Sequence, residues 1–139
     1  MSRFLRQLSI TFTAGCFGAL VSSSLAWYLG SMGIPQKFGM APAPAWSLSY
    51  LYPRVLWGGL WGWIFMVPIW RSGFWTGVFS RGIILSFLPT AFQLFYFFPF
   101  VLGKGMMGLE LGSLTPVFIC LYNAVWGICT GFWLYLSKT

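Results

Sequence analysis

Residues 56–70 read LWGGLWGWIFMVPIW, an apolar run with no charged side chain that lies between Arg54 and Arg71. An apolar run bounded by basic residues is typical of a membrane-spanning helix whose ends are anchored at the lipid headgroups. A shorter version of its tryptophan–glycine core, LYNAVWG, recurs at residues 121–127. Both stretches predict membrane helices, and the rest of the chain is interpreted from them outward.

The composition of the 139-residue chain also favours a lipid environment, because 58% of the residues are hydrophobic and only 6% are charged. Soluble domains carry about 25% charged residues. The formal charge of +7 comes from eight basic residues against one acid, Glu110. The basic residues stand singly at the ends of apolar segments, so we expect contacts with membrane lipids and no binding of nucleic acid.

Four apolar segments separated by polar or proline-containing stretches predict an all-α fold, a single-domain polytopic membrane protein with a four-helix transmembrane bundle. The expected helices cover residues 8–30, 54–70, 82–102 and 116–136. Residues 31–53 are expected to form a surface connector with room for a short helix, in which Pro53 and other prolines break helical continuity. Residues 71–81, with an arginine at each end, are expected to lie as a short turn in the membrane interface.

Small residues recur at helical spacing in three of the expected helices. Gly-x-x-x-Gly pairs occur in the second and fourth helices, and a row of small residues at every fourth position follows the first. Because small side chains let lipid-embedded helices approach closely, these residues are predicted to pack helices together in the bundle interior. The predicted packing residues are Gly18, Ser22, Gly58, Gly62, Gly127 and Gly131.

Two amide side chains, Gln93 and Asn123, fall near the middle of the expected third and fourth helices. Unpaired amides are costly in hydrocarbon, so both are expected to turn inward and to hydrogen-bond to each other. A structural clamp is one interpretation. The other is a polar path for a solute, completed by the serines of the first helix.

The sequence argues against an enzyme, because it has no histidine and only one acid, which leaves no nucleophile-and-base arrangement. The three cysteines form no Cys-x-x-Cys pair, so no metal site is predicted. Glu110 is expected to form an ion pair with Arg54 at the outer face, and such surface pairs contribute little stability. No cofactor is predicted. A lipid, quinone or pigment is an alternative ligand, with hydrophobic contacts at Trp57, Trp61, Phe95 and Trp126.

The basic residues also predict an orientation. With four spans, one side of the membrane carries Arg3, Arg6, Arg71, Arg81 and Lys138, and the other carries Lys37, Arg54 and Lys104. The positive-inside rule then places both termini in the cytoplasm.

The leading functional hypothesis is a non-enzymatic membrane protein that acts by helix packing, either as an accessory subunit of a larger membrane complex or as a homo-oligomer. The alternatives are a small channel or carrier with a polar path at Gln93 and Asn123, and a binder of a hydrophobic pigment, quinone or lipid.

Three motifs carry a resemblance to a known group of proteins: YPRxxWGGxWG at Tyr52–Gly62, QLF with a following FP at Gln93–Pro99, and LTP with a later NxxWG at Leu114–Gly127. They look like those of small, uncharacterised four-helix proteins of the bacterial inner membrane. The resemblance implies that topology and location, and it implies no activity. A second likeness, to the YagU-type inner-membrane proteins, rests on Trp75, Gly77, Gln93, Leu94, Pro99 and the Leu-Thr-Pro at 114–116. The chain lacks the soluble-side segments of that group.

Overall fold

The computed structural model describes residues 3–34, 48–66, 73–101 and 115–137, and every regular element within these ranges is helical. This confirms the all-α fold for the described part of the chain. The α-helices there are α1 (Arg3–Ser31), α2 (Leu48–Gly62), α3 (Arg81–Phe92) and α4 (Thr115–Leu136). A 3-10 helix, Trp63–Met66, follows α2, and π-helical segments, Trp75–Ser80 and Gln93–Val101, flank α3. Within the described ranges, three stretches are long and apolar enough to cross a membrane: Arg3–Ser31, Trp75–Tyr96 and Pro116–Leu136.

The helices pack in antiparallel pairs. α1 packs against both α2 and α4, and α4 also packs against α3. Trp126 of α4 hydrogen-bonds to Gly15 of α1, and Tyr122 of α4 lines the same cavity as Ser22 of α1. Going from Trp126 back to Tyr122 on α4 thus corresponds to going forward from Gly15 to Ser22 on α1, so the two helices are antiparallel. The ends at which α1 and α3 finish therefore lie beside the starts of α2 and α4.

The second helix differs from the sequence expectation at its start. α2 begins at Leu48, within the expected connector, and Pro53 lies inside it. Proline lacks the N–H that would bond to the carbonyl four residues earlier, and here that loss falls close to the helix start. Residues 54–66 are helical and fall within the expected second span, whose last residues, 67–70, lie outside the described part of the chain.

Residues 71–81 also depart from the expected interfacial turn. Residues 71 and 72 lie outside the described ranges, but the helix that leads into α3 is already formed at Trp75. Aromatic contacts hold this segment against α4, since the ring of Phe74 lies 5.3 Å from that of Tyr135. Gly77 and Val78 are buried at the same contact. The expected interfacial turn is therefore wrong from Trp75 onward.

The interior of the bundle is small, and much of the apolar surface faces outward. The buried apolar cluster consists of Ala14, Ala19, Phe65, Leu85, Trp126 and Leu134. By contrast, Trp75 and Phe100 are each 72% exposed, and Tyr52 is 71% exposed. Soluble proteins rarely present extended apolar surface to water, so the outward aromatic side chains fit lipid contact.

Candidate functional site: a polar cavity between the helices

Glycines make the contact between α1 and α2. A Cβ added to Gly62 would lie 2.9 Å from Gly15 Cα, and one added to Gly15 would meet the carbonyl oxygen of Gly58. Gly58 in turn lies against the methyl group of Ala19. Backbone meets backbone at this crossing, so no side chain larger than hydrogen fits at these glycines without a shift.

Three further glycine contacts hold α4 against its neighbours. A Cβ added to Gly82 would lie 2.5 Å from the carbonyl oxygen of Gly127, and one added to Gly131 would lie 2.9 Å from that of Gly77. On the other side of α4, a Cβ added to Gly18 would lie 2.5 Å from the carbonyl oxygen of Trp126. The five predicted packing glycines are all buried, and Ser22 is half-buried. The sequence did not single out their partners Gly15, Gly77 and Gly82 as packing residues.

The indole of Trp126 joins these contacts at the centre. Its Nε1 donates a hydrogen bond to the carbonyl oxygen of Gly15 at 3.1 Å. Its ring meets that of Phe65 edge-on, with the centroids 5.7 Å apart and the planes at 79°. A buried tryptophan needs a partner for its N–H, and the bare backbone of a glycine leaves the carbonyl within reach.

Each of three glycine rows ends in a polar side chain. Four-residue spacing, which keeps residues on one helix face, links Arg54 to Gly58 and Gly62, and Asn123 to Gly127 and Gly131. On α1 the same spacing links Gly15 through Ala19 to Ser23. Because neighbouring helices are antiparallel, the polar ends of these rows lie at the same level of the bundle.

The polar ends meet in a cavity of about 50 Å³. It is lined by Ser22, Ser23 and Ala26 of α1, Arg54 of α2, Gln93 after α3, and Ile119, Tyr122 and Asn123 of α4. That volume holds a few particles the size of water. The lining supplies amides, hydroxyls and one guanidinium, within helices that are predominantly apolar.

The two amides belong to one hydrogen-bond network. Asn123 Nδ2 donates to Gln93 Oε1 at 3.2 Å and to Thr90 Oγ1 at 3.0 Å. Thr90 Oγ1 donates to the carbonyl oxygen of Ser86 at 2.8 Å. Both N–H groups of Asn123 are thus used within the protein. Within the described residues, the amino group of Gln93 and the side-chain oxygen of Asn123 have no hydrogen-bond partner, and both residues line the cavity.

At the opposite end of the bundle lies a second polar group, Arg81. Its side chain is only 2% exposed, its Nη2 donates to the carbonyl oxygen of Phe65, and its guanidinium carbon lies 5.2 Å from the centre of the Phe65 ring. The expectation that Arg81 is a surface charge is therefore wrong. The sequence contained one signal for this contact. In a 3-10 helix the carbonyl of Phe65 would accept the N–H of residue 68, but residue 68 is proline and has no N–H. The Phe65 carbonyl therefore needs another donor.

The aromatic residues proposed for a hydrophobic ligand differ in burial, and of them Trp61 packs against the buried cluster that contains Trp126. Trp126 is 4% exposed, whereas Trp57 and Phe95 are 54% and 51% exposed. Trp61 packs against Phe92, with ring centroids 5.6 Å apart.

Two further features of the expected chemistry can be placed. The expected ion pair of Arg54 with Glu110 lies outside the described residues, because Glu110 is not among them. Within the described ranges, no group of histidine, cysteine, aspartate and glutamate side chains could hold a metal ion.

No protein-family model matches the chain, and no curated protein or solved structure matches it. The resemblance to small bacterial membrane proteins therefore stays a prediction.

Proposed function

We propose that the chain is a four-span integral protein of a bacterial inner membrane that acts, without enzyme activity, as a small channel or carrier for a polar solute. The observation that carries the proposal is the cavity lined by Ser22, Arg54, Gln93 and Asn123. Polar side chains within membrane helices are costly and mark solute or ion pathways. Here the polar side chains come from four helical segments and line one cavity. If each were only a separate structural clamp between two helices, they would not need to meet.

The fourth span of the proposal is α2 with its 3-10 extension. Fifteen α-helical residues rise about 22 Å, and the four residues of the 3-10 helix add about 8 Å. The sum of about 30 Å matches the hydrocarbon thickness of a bilayer. The close glycine contact with α1 further supports placing α2 at membrane depth.

The proposal includes an orientation with both termini in the cytoplasm. The excess of basic residues on the cytoplasmic side is smaller than the sequence suggested. Arg81 is buried and no longer counts as a surface charge. The cytoplasmic side then carries Arg3, Arg6, Arg71 and Lys138, against Lys37, Arg54 and Lys104 outside. The excess still has the sign that the positive-inside rule requires.

An accessory subunit or homo-oligomer is the second candidate. The glycine rows do not favour this second candidate, because they already contact other helices of the same chain. One observation does favour it: Trp75 and Phe79 stack at 5.1 Å with the planes at 28°, and Trp75 is 72% exposed. Aromatic side chains are enriched at protein interfaces, so a membrane partner or a second copy would bind this end.

The test is solute flux in proteoliposomes containing the purified full chain, with potassium, chloride, nitrate and urea as separate probes. We expect one probe to pass faster than in protein-free liposomes, and Asn123→Leu to abolish the difference. The matched control is Ala91→Leu, at an exposed position of α3. The proposal fails if no probe passes, and a stoichiometric foreign subunit in native mass spectrometry would then favour the second candidate.

A further inference from the structure

We infer that the cavity binds a small neutral molecule that both accepts and donates hydrogen bonds, such as urea or a primary amide; this rests on the proposed function and names its class of solute. Two side-chain groups carry the inference, the amino group of Gln93 and the side-chain oxygen of Asn123. Both residues line the cavity, and within the described residues neither group has a hydrogen-bond partner. One group is a donor and the other an acceptor, so a solute that satisfies both must carry groups of both kinds.

The orientation of the two amides follows from Thr90. The Thr90 hydroxyl has a single hydrogen, which it donates to the carbonyl oxygen of Ser86 at 2.8 Å. Toward Asn123, Thr90 Oγ1 can therefore only accept, and it accepts from Asn123 Nδ2 at 3.0 Å. The same nitrogen donates to Gln93 Oε1 at 3.2 Å. Because this chain of bonds starts at a backbone carbonyl, neither amide can turn over without placing two donors or two acceptors face to face.

A neutral solute satisfies this pair of groups better than an ion does. Gln93 and Asn123 lie on helical stretches that are long and apolar enough to span a membrane, where amide groups without partners are costly. An anion such as nitrate carries only acceptors and would face the Asn123 oxygen. A cation such as guanidinium carries only donors and would face the Gln93 amino group. The pairing does not require the Arg54 guanidinium, which lines the same cavity.

The size of the cavity limits the solute. Its volume of about 50 Å³ is the space of a few water molecules, which suits a molecule of the size of urea or acetamide. In either molecule the carbonyl oxygen would accept from the Gln93 amino group, and an N–H would donate to the Asn123 oxygen. The solute would thus bind as a third amide beside the two that the protein supplies.

The experiment measures binding by saturation-transfer NMR on the purified full chain in detergent, with empty micelles as the blank. The probes are acetamide and acetone, which have nearly the same shape and both carry methyl protons, but acetone lacks the N–H donors. We expect an acetamide signal that saturates with concentration and is displaced by urea. Any acetone signal is expected to be insensitive to urea, because acetone cannot donate to Asn123.

Two matched variants assign the signal to the cavity. Gln93→Glu replaces the amino group by an oxygen and keeps the oxygen that accepts from Asn123. It is expected to weaken the apparent affinity for acetamide by about ten-fold, because an acceptor then stands where the solute needs a donor. Gln7→Glu makes the same change on α1, about 22 Å along the helix from Ser22, and is expected to leave the affinity unchanged.

The outcomes separate this inference from the proposed function. The absence of an acetamide signal that urea displaces, an equal urea-sensitive signal for acetone, or an unchanged affinity in Gln93→Glu overturns the site. If potassium, chloride or nitrate still passes through the protein in liposomes, the channel or carrier proposal survives that result. Acetamide binding that depends on Gln93, without flux of any probe, supports the site and removes the transport function.

Discussion

At the scale of single residues, two arginines have opposite roles that composition alone does not distinguish. Arg81 is buried at one end of the bundle, where it donates to the Phe65 carbonyl and lies over the Phe65 ring. Arg54 is exposed and lines the cavity near the other end. Both stand beside apolar runs, so both fit the sequence pattern of headgroup anchors. Only the packing separates the buried arginine from the one that lines the cavity.

Replacing Arg81 tests its structural role. Arg81→Met keeps much of the side-chain volume and removes the donor to the Phe65 carbonyl. We expect a loss of about 1–3 kcal/mol in the free energy of unfolding, because a buried acceptor is left without a partner. Unfolding by SDS in mixed micelles measures this loss. The control Arg6→Met, at an exposed position, should change stability little. A stability of Arg81→Met equal to the control would contradict the assignment.

At the scale of helices, the sequence revealed which positions are small but not which partners they meet. The pairs Gly58/Gly62 and Gly127/Gly131 stand out by spacing alone. Their partners Gly15 and Gly82 belong to no such pair, since Gly15 is followed at four-residue spacing by Ala19 and Gly82 by Ser86. Which rows face each other depends on how helices rotate about their axes, and that is decided by packing across the bundle. The rows also continue into polar side chains, a pattern visible once the partners are known.

Filling one glycine contact tests the helix packing. Gly127→Leu places a side chain against the backbone of Gly82, where even a Cβ meets the carbonyl oxygen. We expect a destabilisation of about 3 kcal/mol, at the upper end of the usual range for overpacked positions, and a sharp fall in folded yield by size-exclusion chromatography. Ala91→Leu introduces the same side chain at an exposed position of α3 and should fold normally. Equal yields for the two variants would show that α3 and α4 do not approach at these glycines.

At the scale of the whole molecule, the antiparallel order places the polar ends of the glycine rows together. The sequence placed Gln93 and Asn123 at mid-depth and counted the serines of α1 as a possible path lining. It placed Arg54 at the start of the expected second helix and paired it with Glu110, which lies outside the described residues. α2 begins six residues earlier, at Leu48, and Arg54 lines the cavity together with Ser22. The cavity is thus a product of tertiary packing, and its charge could not be read from any one segment.

The most direct test of this account is cysteine cross-linking in membranes, because the central claim is that α1 and α4 meet around the polar cavity. In a background in which the three native cysteines are replaced by serine, Ser22→Cys is combined with Asn123→Cys. The control combines Asn123→Cys with Leu20→Cys, close to Ser22 along α1 but exposed. We predict that a short bifunctional thiol reagent links the Ser22→Cys pair and not the control pair. Linkage of the control pair alone would contradict the arrangement of the helices and the cavity that depends on it.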